Sequence, residues 1–200
     1  MPNPVEFYFD FSSPYGYFAA TRISRIAAKH GRTVSWKPIL LGAVFKVTGM
    51  GPLPSLPLKG DYSVRDMQRV SRLWKVPFKL PSRFPIPGQA PSRIVYWLEA
   101  QHPEKQEAAT LALFHAYFVD NRDISNPEVA ADVVATVGPD HAALLAATQD
   151  PAIKDRLKQE VDGAIANGVF GSPFVVVDGE PFWGSDRLEH VERWLETGGW

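Results

Sequence analysis

The stretch Val5-Glu6-Phe7-Tyr8-Phe9-Asp10-Phe11-Ser12-Ser13-Pro14-Tyr15 decides the fold. Its apolar and aromatic run reads as a buried strand, and Pro14 is suited to open a helix through Tyr17, Phe18, Ile23, Ile26 and Ala27. The proline ring pre-sets a helical φ, and its missing N–H is no loss at the first helical position. A strand that ends in Ser-Ser-Pro therefore sets a hydroxyl at a helix N-terminus. The first amides of a helix have no internal partners and the dipole adds partial positive charge, so an anion such as a thiolate is stabilised there. Taken alone, Ser13 reads first as an N-cap. A catalytic role for it needs support from elsewhere in the chain.

Working outward, Gly31 ends that helix and Thr33 to Pro38 alternates like a second strand, which a right-handed crossover makes parallel to the first. The strand signal then disappears. A short helix is expected from Leu41 to Phe45, followed by the Gly/Pro-rich stretch Thr48 to Pro57, which is either a packed binding loop or a flexible linker. Asp61 to Val76 reads as a helix stopped by Pro77, and Pro81 to Gly88 as irregular chain. Helices follow from Pro91 to Gln101 and through Ala108, Leu111, Phe114, His115 and Phe118, with His115 read as a core histidine. Ser125-Asn126-Pro127-Glu128 has the pieces of a capping box, and helices to Val137, from Pro139 to Ala147 and from Pro151 to Asn167 complete a helical middle. Strands return at Phe174 to Val177 and Glu180 to Trp183, joined by the hairpin signal Asp178-Gly179. A last amphipathic helix carries Leu188, Val191, Trp194 and Leu195, with Ser185 or Asp186 expected as its N-cap.

The order β-α-β, helices, β-β-α predicts an α/β thioredoxin-like fold from residues 1–40 and 168–200, interrupted by an all-helical insertion domain over 41–167. Gly171-Ser172-Pro173 stands directly before the returning strand. Pro173 there is either a cis-proline that leaves the backbone of Ser172 open to an extended peptide, or an ordinary trans proline at the start of a strand.

Composition narrows the chemistry. The chain has 200 residues, 45% of them hydrophobic, enough for a sizeable core, and its net charge of -1 gives no electrostatic reason to expect nucleic acid or an anionic membrane as partner. No apolar run is long enough to span a bilayer and no signal peptide precedes Val5, so a cytosolic (cytoplasmic) protein is expected. There are no cysteines, which excludes disulfides, thiolate metal sites and any cysteine nucleophile belonging to the protein. Sulfur chemistry here requires a sulfur that arrives with a ligand. The five histidines are scattered and none has metal-ligand spacing to another.

Three motifs taken together resemble the 2-hydroxychromene-2-carboxylate isomerase family, relatives of kappa-class glutathione transferases among DsbA-like thioredoxin-fold proteins. They are Phe7-Tyr8-Phe9-Asp10-Phe11-Ser12-Ser13-Pro14-Tyr15, Val169-Phe170-Gly171-Ser172-Pro173 and Trp183-Gly184-Ser185-Asp186-Arg187-Leu188, and the resemblance runs the length of the chain, including Lys59-Gly60-Asp61-Tyr62. It implies glutathione as cofactor. Ser13 would hold its sulfur, Ser172 with the cis-proline Pro173 would pair with its cysteinyl part, and Trp183, Gly184, Ser185 and Asp186 would take the γ-glutamyl end, with Lys59 also in the cofactor site. The thiol of glutathione has a pKa near about 8.5, and lowering it by a unit needs about 1.4 kcal/mol, within reach of a helix dipole and one hydroxyl donor.

The reaction implied is isomerisation of a bicyclic hemiketal carboxylate to a trans-o-hydroxybenzylidenepyruvate in the breakdown of aromatic hydrocarbons. The thiolate adds to the carbon conjugated with the ketoacid, the new single bond rotates, and glutathione leaves unchanged. The helical insertion offers Phe45, Leu53, Trp74 and Phe84 for the aromatic ring and Lys46, Lys59 or Arg83 for the carboxylate of this small-molecule substrate. The resemblance also implies a homodimer. Met50 is a departure, standing nearest to where kappa-class enzymes tend to carry an Asn. A kappa-like transferase or peroxidase, which would consume glutathione, is the alternative of the same fold. A cysteine-free thioredoxin-fold binding module is the alternative from another class.

Overall fold

Alternation along the first strand serves two packed layers at once. In the computed structural model, which describes residues 2–200, strand β1 (Val5–Phe9) sends Val5, Phe7 and Phe9 into one apolar cluster and Tyr8 into another. Side chains of successive strand residues point to opposite faces, so a strand inside a sheet covered on both sides carries large apolar or aromatic residues on each face. Strands β2 (Val34–Pro38), β3 (Phe174–Val177) and β4 (Glu180–Trp183) complete a sheet of order β2-β1-β3-β4. β2 runs parallel to β1 and β3 antiparallel to it, while β4 is antiparallel to β3. The turn between β3 and β4 places Asp178 at φ 52° and Gly179 at φ 93°, the paired positive angles that a two-residue hairpin requires. The expected parallel pair and hairpin are both present.

Helices α1 (Pro14–Lys29), α2 (Leu41–Thr48), α3 (Lys59–Trp74), α4 (Gln89–Gln101), α5 (Gln106–Phe118), α6 (Pro127–Ala135), α7 (His141–Gln149), α8 (Pro151–Ala166) and α9 (Leu188–Thr197) account for most of the rest. One face of the sheet meets α1, α5 and α9 through an aromatic run in which Phe9, Phe11, Tyr17, Phe114 and Phe118 lie ring to ring at 4.9–5.7 Å. The other face meets α4 and α8, where Tyr8 packs with Tyr96, Leu157 and Val161. Among the described residues no helix is long and apolar enough to cross a membrane.

Several expectations are corrected. The stretch 48–57 contains a 3₁₀ turn at Leu53–Ser55, and α3 begins at Lys59 rather than at Asp61. The cap of α6 is Asn126, which accepts from the Glu128 amide, because the Ser125 hydroxyl is turned to Asp123. His115 is not in the core: Phe114 and Phe118 occupy the buried stripe of α5, and the next position around the helix points His115 outward to Asp120 at 3.2 Å. Neither Ser185 nor Asp186 caps the last helix, since a 3₁₀ turn at Ser185–Arg187 leads into α9 and no side chain caps either segment.

Candidate active site

The hydroxyl of Ser13 is fixed by backbone on both sides. Ser13 is the N-cap of α1 in an extended conformation, and its Oγ accepts from the Gly16 amide at 3.0 Å. The same hydroxyl donates to the carbonyl of Ser172 at 2.9 Å, across 159 residues of sequence. The Ser172–Pro173 peptide is cis, and the Ser172 Oγ accepts from the backbone N–H of Asp10 at 2.9 Å. Gly16 is required at this junction: a Cβ there would lie 2.7 Å from Ser172 Oγ and 3.1 Å from Ser13 Cβ. The strand end, the helix N-terminus and the cis-proline segment are thus one hydrogen-bonded unit.

That unit forms the floor of a cavity of about 810 Å³. Its walls are mainly apolar and come from α2, the 50–54 segment, the 84–88 segment and the aromatic pair Phe170 and Trp183. Ser12 pins the 84–88 wall reciprocally, its Oγ donating to the Ile86 carbonyl at 2.7 Å and accepting from the Ile86 amide at 3.0 Å. The Phe84–Pro85 peptide in that wall is cis. At the mouth, Phe170 and Trp183 meet edge to face at 4.9 Å, and the indole lies so close over Gly171 that any side chain there would collide with it. Charged residues lining the cavity are Asp10, Lys46 and Lys59. Among the described residues the ion pairs of lysines involve Lys29, Lys37 and Lys158, and neither Lys46 nor Lys59 is in one.

The structure brings Ser13, Ser172, Trp183, Lys59, Phe45, Lys46, Leu53 and Phe84 together around this cavity, with Met50 also in its wall. Gly184 is tethered beside it, since its amide donates to the Pro173 carbonyl at 3.1 Å. That bond places Ser185, which is buried, and Asp186, which is exposed and 3.1 Å from Arg187, next to the cis-proline segment. Two expected substrate residues are not brought to the cavity. Trp74 packs against Phe18 with the Arg22 guanidinium 4.2 Å above its ring, because the apolar stripe of α3 faces α1 at that point. Arg83 turns outward to form an ion pair with Asp123.

Asp10 is the residue that sequence reasoning passed over. It is 4% exposed, and burial pushes its carboxyl up to about 6 even though the Leu41 and Ser12 amides, which donate to it, pull the other way. The available signal is a carboxylate directly after an aromatic strand and beside the Ser-Ser-Pro turn.

Known proteins of this shape match along nearly the whole chain. The model of the DSBA-like thioredoxin domain family matches residues 4–196. A 2-hydroxychromene-2-carboxylate isomerase of Pseudomonas putida is 30% identical, the match covering 94% of this chain and 92% of the relative. Glutathione S-transferase kappa 2 of Caenorhabditis elegans is 29% identical over 98% of this chain and 93% of its own length. The solved structure of a 2-hydroxychromene-2-carboxylate isomerase superposes with a TM-score of 0.83 at 30% identity, covering 96% of this chain and 94% of that one.

Proposed function

Because the chain belongs to the DsbA-like thioredoxin family, with 2-hydroxychromene-2-carboxylate isomerases and kappa-class glutathione transferases as full-length relatives, we propose that it is a glutathione-dependent isomerase. It converts 2-hydroxychromene-2-carboxylate-type hemiketals to trans-o-hydroxybenzylidenepyruvate-type ketoacids. The observation that carries this reading is the Ser13 hydroxyl at the amino end of α1, on the floor of an apolar cavity and against the Ser172–Pro173 segment, in a chain without cysteine. Glutathione, when bound, supplies the thiolate nucleophile that the chain itself lacks.

The residues suit such a ligand. A cavity of about 810 Å³ holds a tripeptide part and an aromatic acid together. Ser13 has a single hydroxyl hydrogen, now directed to the Ser172 carbonyl at 2.9 Å. Turning it toward a sulfur releases that carbonyl, which is the backbone acceptor that a cysteinyl N–H would use. The exchange conserves hydrogen bonds, so Ser13 and Ser172 engage the ligand as a pair. The amino end of the α1 dipole adds its partial positive charge at the same point.

Asp186 accepts from the γ-glutamyl ammonium, with Ser185 and the neighbouring amides on the adjoining carboxylate. Trp183 and Gly184 frame that end, and Pro173 holds the Ser172 backbone toward the cysteinyl part. Lys59 takes a second carboxylate of the cofactor and Lys46 that of the substrate, whose ring lies against Phe45, Leu53 and Phe84. Trp74 and Arg83 have no part in it. The same reading keeps the enzyme a cytosolic homodimer.

Calorimetric titration with reduced glutathione, on the wild type and on Asp186→Ala, tests the cofactor assignment. Binding that the variant loses supports it, and no heat in the wild type overturns it. Turnover of the hemiketal at constant thiol titre identifies the isomerase. A titre falling one-for-one with product identifies the kappa-like transferase, the second reading, which the 29% identical kappa relative favours.

A further inference from the structure

Asp10 is a buried carboxylate on the cavity floor that the proposed function leaves unused. It touches three walls of the site. Its Oδ1 accepts from the Ser12 amide at 2.6 Å, and its Oδ2 accepts from the amide of Leu41, the first residue of α2, at 2.7 Å. Its own backbone N–H donates to Ser172 Oγ at 2.9 Å, and its carbonyl accepts from the Ser13 amide at 2.9 Å. Leu40, in the N-cap position of α2, offers no side-chain acceptor, so Asp10 caps that helix from 31 residues upstream. Phe45 and Lys46 hang from α2, and Met50 and Leu53 continue the same wall.

The titratable groups around Asp10 do not neutralise it. Tyr117 of α5 is held neutral by burial and donates to the Arg83 carbonyl, and Tyr15 of α1 donates to Asp66. Lys46 and Lys59 line the same cavity from α2 and α3. Two backbone amides are therefore its hydrogen-bond partners. From α4 comes the buried Ser92 hydroxyl, which has no protein partner: a Cβ on Gly88 would lie 3.9 Å from both Ser92 Oγ and Asp10 Oδ1.

We propose that Asp10 is a positioning residue of this site: its carboxylate, shared between the Ser12 and Leu41 amides, ties the α2 wall to the Ser13 turn, and protonation releases that wall. The inference rests on the reading of the cavity as the ligand site. The physical reason is donor count. An ionised carboxylate accepts on both oxygens, whereas a protonated one presents an O–H that cannot face an amide N–H. The side chain then turns one oxygen away from its amide.

The sign of the pH dependence separates this role from ordinary packing. The carboxyl is raised from 3.8 to about 6 in the fold, so the folded state favours the proton. The contribution of Asp10 to stability is therefore complete below 3.8 and is lost as pH rises through about 6. The clamp runs the opposite way, engaged above that pH and released below it. A fold that becomes firmer while its substrate wall loosens is not expected of a merely structural residue.

The test is an NMR pH titration of the full chain without glutathione. The amide resonances of Ser12 and Leu41 are expected to move together with a midpoint near 6 in the wild type and to stay still in Asp10→Asn. With glutathione and the aromatic acid, Asp10→Asn is expected to raise KM for the acid about tenfold, to change kcat by no more than about threefold, and to remove the acid limb of the pH profile. Amides that do not titrate in the wild type overturn the proposal, and this arm decides the matter even if the variant fails to fold. An unchanged acid limb in a folded Asp10→Asn overturns it as well. Titrating amides in a protein that never binds glutathione support the clamp while sinking the isomerase reading.

Discussion

The two sides of the cavity are built on different principles. On the Ser13 side, residues from the turn after β1, from α1 and from the cis-proline segment exchange backbone-anchored hydrogen bonds of 2.6–3.0 Å, and Gly16 lets the pieces touch. On the α2 side, neither α2 nor α3 has a side-chain cap from its own N-cap residue, and Leu58 carries a positive φ with its side chain 95% exposed. That wall is held by Asp10 at one end and by the seating of Gly60 against Pro54 at the other. A reacting centre gains from preorganised donors that need no rearrangement, whereas a pocket for a variable aromatic acid gains from a wall that can shift. The difference teaches that the two tasks are mechanically separable in this molecule, and substitutions on each side should divide accordingly.

The largest effect is expected on the rigid side. Ser13→Ala removes the one hydroxyl donor at the proposed sulfur position and should lower kcat about a hundredfold at saturating glutathione, while the lost N-cap costs about 1 kcal/mol in thermal or chemical unfolding. Equal loss of rate and unchanged binding of the aromatic acid sharpen the division; a large change in KM for the acid breaks it. Gly60→Ala should do the reverse. Its Cβ would overlap the Pro54 carbonyl, so the 50–54 segment must move, raising KM for the acid about fivefold at a cost of about 1–3 kcal/mol in stability, with glutathione affinity retained. Smallest is a paired comparison of two cations. Lys46→Ala should weaken the acid by about threefold in KM, and Arg83→Ala, whose outward ion pair with Asp123 is largely exposed, should leave kinetics unchanged and cost less than about 1 kcal/mol.

What was legible in the sequence follows the same line. Strand alternation, Pro14 at a helix start, and Asp178-Gly179 at a hairpin are local signals with local causes, and they place Ser13 and Ser172 at facing ends of neighbouring strands. The contacts that finish the site join residues far apart in sequence: Asp10 to Leu41, Ser12 to Ile86, Gly184 to Pro173. No periodicity encodes such pairings, which is why Asp10 was passed over. For the wall, sequence offers residue type alone, an aromatic for a ring and a cation for a carboxylate. That criterion cannot tell that α3 turns Trp74 to Arg22 and Phe18 while Phe84 faces the cavity.

The bond from Ser13 to Ser172 spans 159 residues. At a translation rate of about 5–20 residues per second, roughly ten to thirty seconds separate the synthesis of one partner from that of the other. Through that interval β1 can pair with β2, but its second edge waits for β3 and stays open to any strand that offers itself. The amino end of α1, where we propose a thiolate, lies uncovered for the same time. Because the centre is stitched from segments 159 residues apart, a product that stops short of Ser172 lacks one side of it.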